Sequence, residues 1–102
     1  MDYKNGKIYQ ILNNVNDEIY VGSTTQSLSK RFYAHKTAMK YRHCQLYKLM
    51  SELGVENFHI ELIELYSCSC KEELTAREGF YIRERGTLNK YIAGRKSDEY
   101  YL

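Results

Sequence analysis

The sequence predicts a small α+β domain in which a short three-stranded antiparallel sheet is flanked by helices, in the order β-β-α-α-β-α. Two short alternating runs joined by a polar turn predict a hairpin, a later alternating run predicts a third strand, and helical spacing of apolar residues predicts the helices. A chain of 102 residues is long enough for one such domain with one core. We assign residues 1–90 to the domain and residues 91–102, which are polar and tyrosine-bearing, to a C-terminal tail.

The predicted hairpin contains the most informative residues of the chain. Its strands span about residues 6–12 and 18–23, and they carry Tyr9 and Tyr20. Each tyrosine lies in an alternating or β-branched run, and a loop rich in Asn and Asp joins the two runs.

The loop also favours one register for this hairpin. If Leu12 pairs with Asp17, then Tyr9 lies directly opposite Tyr20, and both phenols stand on the same face of the sheet. Gly22 would leave that face open beside them. Two facing phenols next to a glycine are more typical of the floor of a site than of ordinary packing.

Two helices joined by a basic loop are predicted after the hairpin. They span about residues 27–39 and 43–53, and Gly54 ends the second as a left-handed cap. Their inward stripes are Leu28, Phe32, His35 and Met39 in the first helix, and Leu46, Leu49, Met50 and Leu53 in the second.

The third strand and the last helix complete the prediction. Residues 58–66 alternate cleanly and are apolar enough for a central or sandwiched strand. Ser69 and Glu72 predict a capping box for a helix over residues 70–85. A short extended piece is expected over residues 87–89.

Composition limits the classes of function. A net charge of +2 and a pI near 8.4 neither demand nor exclude a nucleic-acid partner, so a local patch must carry that argument. The count of 11 tyrosines indicates a wet or ligand-facing surface, because a buried phenol needs a hydrogen-bond partner. No apolar run is long enough to span a membrane, so no membrane partner is expected. The N-terminus lacks a signal-peptide core, and we expect an intracellular protein.

The cysteines fit reduced thiols better than a disulfide framework or a metal site. Cys44, Cys68 and Cys70 are odd in number. With His43 they could form a zinc site, but the Cys-Ser-Cys spacing is tighter than the usual two-residue gap, and His43 directly precedes Cys44.

Arg31 and His35 are candidate site residues on the first helix. They are four residues apart, share one face, and lie at the edge of the apolar stripe, so both point toward the sheet. Taken singly, they are more typical of an arginine that snorkels and a core histidine with satisfied hydrogen bonds. Together, directed at the tyrosine face, they favour a site.

Glu78 is the strongest single candidate. It falls inside the inward stripe of the last helix, between Leu74 and Ile82, where a carboxylate is rare unless it is paired or bound to a metal. One interpretation is a buried ion pair with Arg31 or Arg77. The other is a ligand for a hard divalent cation, and a single carboxylate suits Mg²⁺, which keeps most of its waters.

These residues together resemble the GIY-YIG endonuclease domain over about residues 6–89. The resemblance rests on the motifs Lys7-Ile8-Tyr9 and Tyr20-Val21-Gly22, on Arg31 and His35 in the following helix, on Glu78 and on Asn89. Lys7 stands where the first motif usually has glycine, but the tyrosine that carries the function of this motif is kept.

The resemblance implies a metal-dependent nuclease that hydrolyses DNA phosphodiester bonds. In family terms Tyr9 takes the proton of the attacking water, helped by nearby positive charge because a free phenol has a pKa of roughly 10. Arg31 would bind the scissile phosphate, and Glu78 would hold Mg²⁺, or Mn²⁺ in its place, against the phosphate and the leaving 3′ oxygen.

The remaining matched residues would support this chemistry. Tyr20 and His35 would hydrogen-bond the phosphate or orient Tyr9. Asn89 would brace the site rather than react, and the alternative is a capping side chain at a helix terminus.

DNA is the expected partner, and several alternatives stay open. A basic surface is formed by Lys30, Lys36, Lys40, Arg42, Lys90, Arg95 and Lys96. The same fold could serve as a nucleic-acid-binding module without catalysis, or as an interaction domain with a tyrosine-rich surface. The chain contains no recognisable DNA-reading module, so it is either a nuclease of low specificity or the catalytic part of a longer protein. Its oligomeric state stays open.

Overall fold

The computed structural model describes residues 2–89, and it confirms the predicted α+β fold. The elements are β1 (Lys7–Asn13), β2 (Tyr20–Thr24), α1 (Leu28–Ala38), α2 (Gln45–Leu53), β3 (Phe58–Leu65) and α3 (Lys71–Arg85). The three strands form one antiparallel sheet in the order β2-β1-β3. Within residues 2–89, no helix has the length and apolar character needed to cross a membrane. The proposed tail, residues 91–102, lies outside the described residues.

The register of the β1–β2 hairpin differs from the predicted one by two residues. Tyr9 pairs with Gly22, and Tyr20 pairs with Ile11. Because side chains alternate with a period of two, this shift keeps both tyrosines on the same face of the sheet. The two phenol rings are diagonal neighbours rather than a directly opposed pair, with ring centroids 6.5 Å apart.

The reason for the shift is the length of the hairpin loop. β1 continues to Asn13, one residue beyond the predicted strand, and β2 begins only at Tyr20. Asn13 Oδ1 accepts hydrogen bonds from the backbone N–H groups of Val15 and Asn16, both at 2.8 Å. These local bonds hold the backbone in a wider turn than the four-residue loop that we expected.

The prediction that β3 is a central strand is wrong. β1 lies between the other two strands, and its Ile8, Tyr9 and Ile11 have no exposed surface. β3 is an edge strand, on which Leu62 and Leu65 are 44% and 70% exposed. β3 therefore has more apolar residues than an edge strand buries. For this reason its composition predicted the wrong position in the sheet.

The sheet carries two apolar clusters because neighbouring residues of β1 point to opposite faces. Tyr9 and Ile11 pack with residues of α1 and α2, including Leu46. Ile8 packs with Val21 and with residues of α3. Side chains from α1 and from α3 therefore approach the sheet from different faces.

The bounds of all three helices agree with the predictions to within two residues, and only the capping at the start of α3 differs. Ser27 caps α1 by accepting the N–H of Lys30, and the φ of 94° at Gly54 ends α2. The predicted capping box of Ser69 and Glu72 is wrong, since the backbone N–H of Ser69 donates to the carboxylate of Glu73 at 2.7 Å.

The short segment after α3 also differs from the prediction. Leu88 and Asn89 have helical backbone, although residues 87–89 were expected to be extended. Hydrogen bonds from this segment to Ile19, just before β2, and to Val21 in β2 take the place of strand pairing. For example, the N–H groups of Thr87 and Leu88 both donate to the carbonyl of Ile19, at 2.9 and 3.0 Å.

Candidate active site

The hydroxyl of Tyr9 lies at the centre of a buried hydrogen-bonded chain. The Tyr9 side chain has no exposed surface, and its Oη lies 2.7 Å from Nε2 of His35. The same Oη accepts a hydrogen bond of 3.1 Å from Nε of Arg31. On the far side of the imidazole ring, Nδ1 of His35 lies 2.8 Å from Oη of Tyr47. The helical stripe therefore places His35 and Arg31 against the tyrosine, as the sequence predicts.

Burial sets the protonation states in this chain. It raises the pKa of Tyr9 to about 12, although the neighbouring Arg31 acts in the opposite direction. Burial and the positive charge of Arg31 together lower the pKa of His35 to about 4. At neutral pH, Tyr9 is therefore a neutral phenol and His35 is a neutral imidazole.

Tyr20 completes the aromatic face. Its ring meets His35 edge-on, with ring centroids 5.5 Å apart and an interplanar angle of 77°. Burial, with the nearby Tyr9 and Glu78, raises the pKa of its phenol. Within residues 2–89 its hydroxyl has no hydrogen-bond partner.

Glu78 is held by Ser23 rather than by an arginine. Ser23 Oγ donates a short hydrogen bond to Oε1 of the half-buried Glu78. An ion pair with Arg77, one of the two interpretations of Glu78, is not formed, because Arg77 binds Glu64 with an N–O distance of 2.6 Å. Burial raises the pKa of the Glu78 carboxyl, while Ser23 and the charge of Arg31 act to lower it. In the described part of the chain, Glu78 forms no salt bridge.

Arg31 and Glu78 line the same open cavity, which has a volume of about 430 Å³. They reach it from α1 and α3, and Ser23 of β2 also lines it. Lys71 at the start of α3 adds a second cation to the wall. The cavity thus combines positive charge with a carboxylate whose second oxygen has no partner within residues 2–89, a combination that fits a phosphate and a hard cation.

The sequence comparison identifies the family. The family model described as the GIY-YIG catalytic domain matches residues 5–92, most of the chain. This chain belongs to the GIY-YIG family. The match confirms the resemblance that the motifs indicated.

Two related sequences come from Invertebrate iridescent virus 6. Uncharacterized protein 019R is 42% identical over 87 residues, and putative MSV199 domain-containing protein 146R is 38% identical over 87 residues. Each match covers 84% of this chain but only 31% and 36% of the two viral proteins. The chain therefore spans about a third of the length of the curated relatives it matches.

Solved structures share the fold. The catalytic domain of homing endonuclease I-TevI is 29% identical with a TM-score of 0.67, over 85% of this chain and 91% of that chain. A mutant catalytic domain of intron endonuclease I-TevI is 28% identical with a TM-score of 0.68, over 85% and 87% of the two chains. The chain is therefore a nuclease domain of the GIY-YIG type.

Asn89 binds the backbone of β2 and does not line the cavity. It is buried, and its Nδ2 donates to the carbonyl of Val21 at 2.8 Å while its Oδ1 accepts the N–H of Val21 at 2.7 Å. The amide therefore replaces a neighbouring strand at the outer edge of β2, between Tyr20 and Gly22. Asn89 therefore lies beside the Tyr-Val-Gly motif rather than among the groups that line the cavity, and its role stays a prediction.

Two polar partners in the site were not predicted. Ser23 directly follows the Tyr-Val-Gly motif, and alternation along β2 places it on the face covered by α3. Tyr47 occupies an inward position of α2 beside Leu46, where its hydroxyl needs a partner. Both signals are present in the sequence.

The zinc site considered from the sequence is not assembled. Cys44 packs against the cluster that contains Tyr9, whereas Cys68 packs against the cluster that contains Ile8. Residues 2–89 contain no group of three or more His, Cys, Asp or Glu side chains that could hold a metal ion.

Gly22 makes room for the Tyr9 phenol. The two residues are paired across β1 and β2, and a Cβ at Gly22 would overlap the end of the Tyr9 ring. A hydrogen-bonded ring of this kind has little freedom to move aside. The motif glycine thus fixes where the hydroxyl lies.

We expect Gly22→Ala to displace Tyr9 and to destabilise the fold. Overpacking of this kind costs about 1–3 kcal/mol, and it should lower both Tm and nuclease activity. The matched control is Gly79→Ala on α3, where a Cβ would meet only Arg83 Nη1 at an ordinary 3.6 Å. That control should gain up to about 1 kcal/mol from its helix propensity. Equal Tm shifts in thermal melts of the two variants would contradict the steric account.

Proposed function

We propose that this GIY-YIG domain is a magnesium-dependent DNA endonuclease that hydrolyses phosphodiester bonds through a single active site. The observation that carries the proposal is the shared cavity, in which Arg31 and Glu78 face one space and Arg31 also contacts Tyr9. The structural neighbours are catalytic domains of a homing endonuclease, which supports DNA as the substrate.

Glu78 is the proposed metal ligand. Its oxygen donors suit Mg²⁺, and a site with one protein carboxylate agrees with the preference of this ion for water and substrate phosphate oxygens. When bound there, the ion would supply positive charge that stabilises the phosphate and the leaving 3′ oxygen, and Mn²⁺ could substitute for it. Ser23 holds one carboxylate oxygen and leaves the other available.

Arg31 is the proposed ligand of the scissile phosphate. Its Nε donates to Tyr9, which leaves the Nη groups of the guanidinium for phosphate oxygens. Within residues 2–89, Arg31 forms no salt bridge that would compete for it. Arg31 would thus contact both the phosphate and Tyr9, the proposed acceptor of the water proton.

Tyr9 can take a proton from the attacking water only by giving up its own. The acceptor beside it is Nε2 of His35, at 2.7 Å. The Tyr9 side chain has no exposed surface in the free domain, so this scheme requires DNA binding to admit the attacking water to its Oη. An O–H bond of that water then breaks, its proton moves to Tyr9 Oη, and the phenolic proton moves to His35. The resulting hydroxide attacks phosphorus, the bond to the 3′ oxygen breaks, and this oxygen takes a proton from solvent.

Exposed cations on α1 and in the loop after it support binding of the DNA backbone. Lys30 and Lys36 lie on α1, and Lys40 and Arg42 lie in the loop that follows it. All four are exposed, and none forms a salt bridge within residues 2–89. Such residues bind phosphates without reading base sequence.

Removing the Tyr9 hydroxyl should cost more activity than removing that of Tyr20. Tyr9→Phe deletes the group that links Arg31 to His35, and we expect a loss of about 100-fold or more in single-turnover cleavage. Tyr20→Phe removes a hydroxyl that we propose contacts the phosphate, and we expect about a tenfold loss. The double variant should lose less than the product of the two effects, because the groups act together. Wild-type rates from both single variants would leave the tyrosines as packing residues only.

The proposal is tested with a labelled duplex oligonucleotide, Mg²⁺ and the purified protein. We expect strand cleavage that leaves a 5′ phosphate and a 3′ hydroxyl, so that a DNA ligase can reseal the products. The control reaction contains excess EDTA and should show no strand cleavage. Tight DNA binding without cleavage would instead identify a binding module of the same fold.

A further inference from the structure

Tyr47 forms the far end of the buried chain and has no part in the proposed chemistry so far. Its Oη lies 2.8 Å from Nδ1 of His35, while Nε2 of the same ring faces Tyr9. Tyr47 belongs to α2, and His35 belongs to α1. Both are buried, with 9% and 2% of their surface exposed. A hydrogen bond between two helices at this depth fixes the orientation of the imidazole ring.

The hydrogen bonds of Tyr9 select one tautomer of His35. Oη of Tyr9 already accepts the N–H of Arg31 and, within residues 2–89, its only other partner is His35. If Nε2 carried the hydrogen, Tyr9 would accept twice and its own buried O–H would lack an acceptor, which is costly. If Nε2 is bare, it accepts the O–H of Tyr9, and the hydrogen of the neutral ring lies on Nδ1.

This tautomer requires an acceptor at Nδ1, and Oη of Tyr47 is that acceptor. The O–H of Tyr47 then needs a partner of its own. Tyr47 lines a second open cavity of about 440 Å³, distinct from the one that holds Arg31 and Glu78. Water in this cavity can accept the phenolic hydrogen, so every group in the chain is satisfied.

We infer that Tyr47 is a positioning residue for the nuclease reaction: it holds His35 with Nε2 bare and directed at Tyr9, ready to take the phenolic proton. The inference rests on the proposed function. The step itself moves one proton from Tyr9 Oη to His35 Nε2 while the proton of water replaces it on Tyr9. Oη of Tyr47 stays hydrogen-bonded to Nδ1–H and stabilises the imidazolium that forms, as a carboxylate does for histidine in hydrolase triads.

The first test is ¹⁵N NMR of the His35 ring in the whole chain, without DNA or metal. We expect the wild type to show a protonated Nδ1 and a bare Nε2. Tyr47→Phe keeps the ring of the tyrosine and removes the acceptor, so the population with hydrogen on Nε2 should rise. A wild-type spectrum with hydrogen on Nε2, or a spectrum that Tyr47→Phe leaves unchanged, would overturn the inference. This measurement does not depend on cleavage.

The second test is single-turnover cleavage at saturating DNA. Tyr47→Phe should lower the rate about tenfold, the worth of one buried hydrogen bond, and leave the Kd for DNA unchanged. The control is Tyr33→Phe on α1, where the side chain is 70% exposed and the rate should not change. An unchanged rate for Tyr47→Phe would contradict the positioning role. A wild type that does not cleave would refute the proposed function, and the NMR result on Tyr47 would still stand by itself.

Discussion

Glu78→Gln should abolish cleavage and raise the Tm of the metal-free protein at neutral pH. The substitution keeps the shape of the side chain and an oxygen that can accept the Ser23 hydrogen bond, but it removes the charge that a cation needs. The loss should be at least about a thousandfold, because metal stabilisation of a transition state is worth several kcal/mol and each 1.36 kcal/mol is tenfold in rate.

The expected gain in stability follows from the direction of the Glu78 pKa shift. Burial raises the pKa of this carboxyl above its ordinary value of 4.5. The folded state therefore binds the proton more tightly than the unfolded chain, which favours folding at acid pH. This contribution is lost as the pH rises through the raised pKa, so at neutral pH the ionised Glu78 destabilises the fold. An uncharged glutamine removes that penalty.

Cleavage and thermal melts of Glu78→Gln are compared with those of Glu84→Gln. Glu84 lies on the same helix, is exposed, and forms no salt bridge within residues 2–89, so its variant should keep both activity and Tm. Cleavage by Glu78→Gln at the wild-type rate would show that Glu78 is not part of the active site. A lowered Tm would show that the carboxylate stabilises the fold instead.

Arg31→Ala should lower the rate of the chemical step by about 100- to 1000-fold, by analogy with the loss of one oxyanion donor. Two functions disappear together, since the guanidinium binds Tyr9 and faces the cavity that also holds Glu78. DNA affinity should change only a few-fold, because other cations contribute to backbone binding. Single-turnover rates and equilibrium binding measured on the same DNA separate the two effects.

Arg31→Lys provides a sharper variant of this test. A lysine ammonium is a compact charge and cannot contact Tyr9 and chelate a phosphate with a planar fork, so it should restore binding but little of the rate. Lys30→Ala, on the same helix and exposed, controls for the loss of one positive charge near DNA. If Arg31→Ala weakens binding strongly and leaves turnover normal, Arg31 only anchors the phosphate.

The sequence predicted an element correctly where a periodic apolar pattern was bounded by a clear capping residue. Helical spacing and the caps at Ser27 and Gly54 placed α1 and α2 to within two residues at each end. Strand position within the sheet did not follow, because an apolar strand such as β3 can lie at an edge when its outer leucines, Leu62 and Leu65, stay exposed. Tertiary context decides that, and the local pattern does not contain it.

The candidate site shows the same division. Arg31, His35 and Glu78 were identified because a polar side chain on an apolar helical stripe is costly unless it has a partner. The partners of Glu78 and His35 were missed. Ser23 and Tyr47 are common residue types, and their roles depend on contacts with a different helix, which the local sequence does not show. The hairpin register failed for a local reason, the side-chain hydrogen bonds of an asparagine loop, yet the error preserved the face and therefore the site.

Nicking of supercoiled plasmid by the wild type and by Glu78→Gln, side by side, tests the central claim most directly. With Mg²⁺ the wild type should convert supercoiled plasmid to nicked circles, because one active site cuts one strand. The variant with Mg²⁺, and the wild type in excess EDTA, should leave the plasmid supercoiled. Nicking by Glu78→Gln at the wild-type rate, or by the wild type in excess EDTA, would contradict a magnesium-dependent site built on this carboxylate.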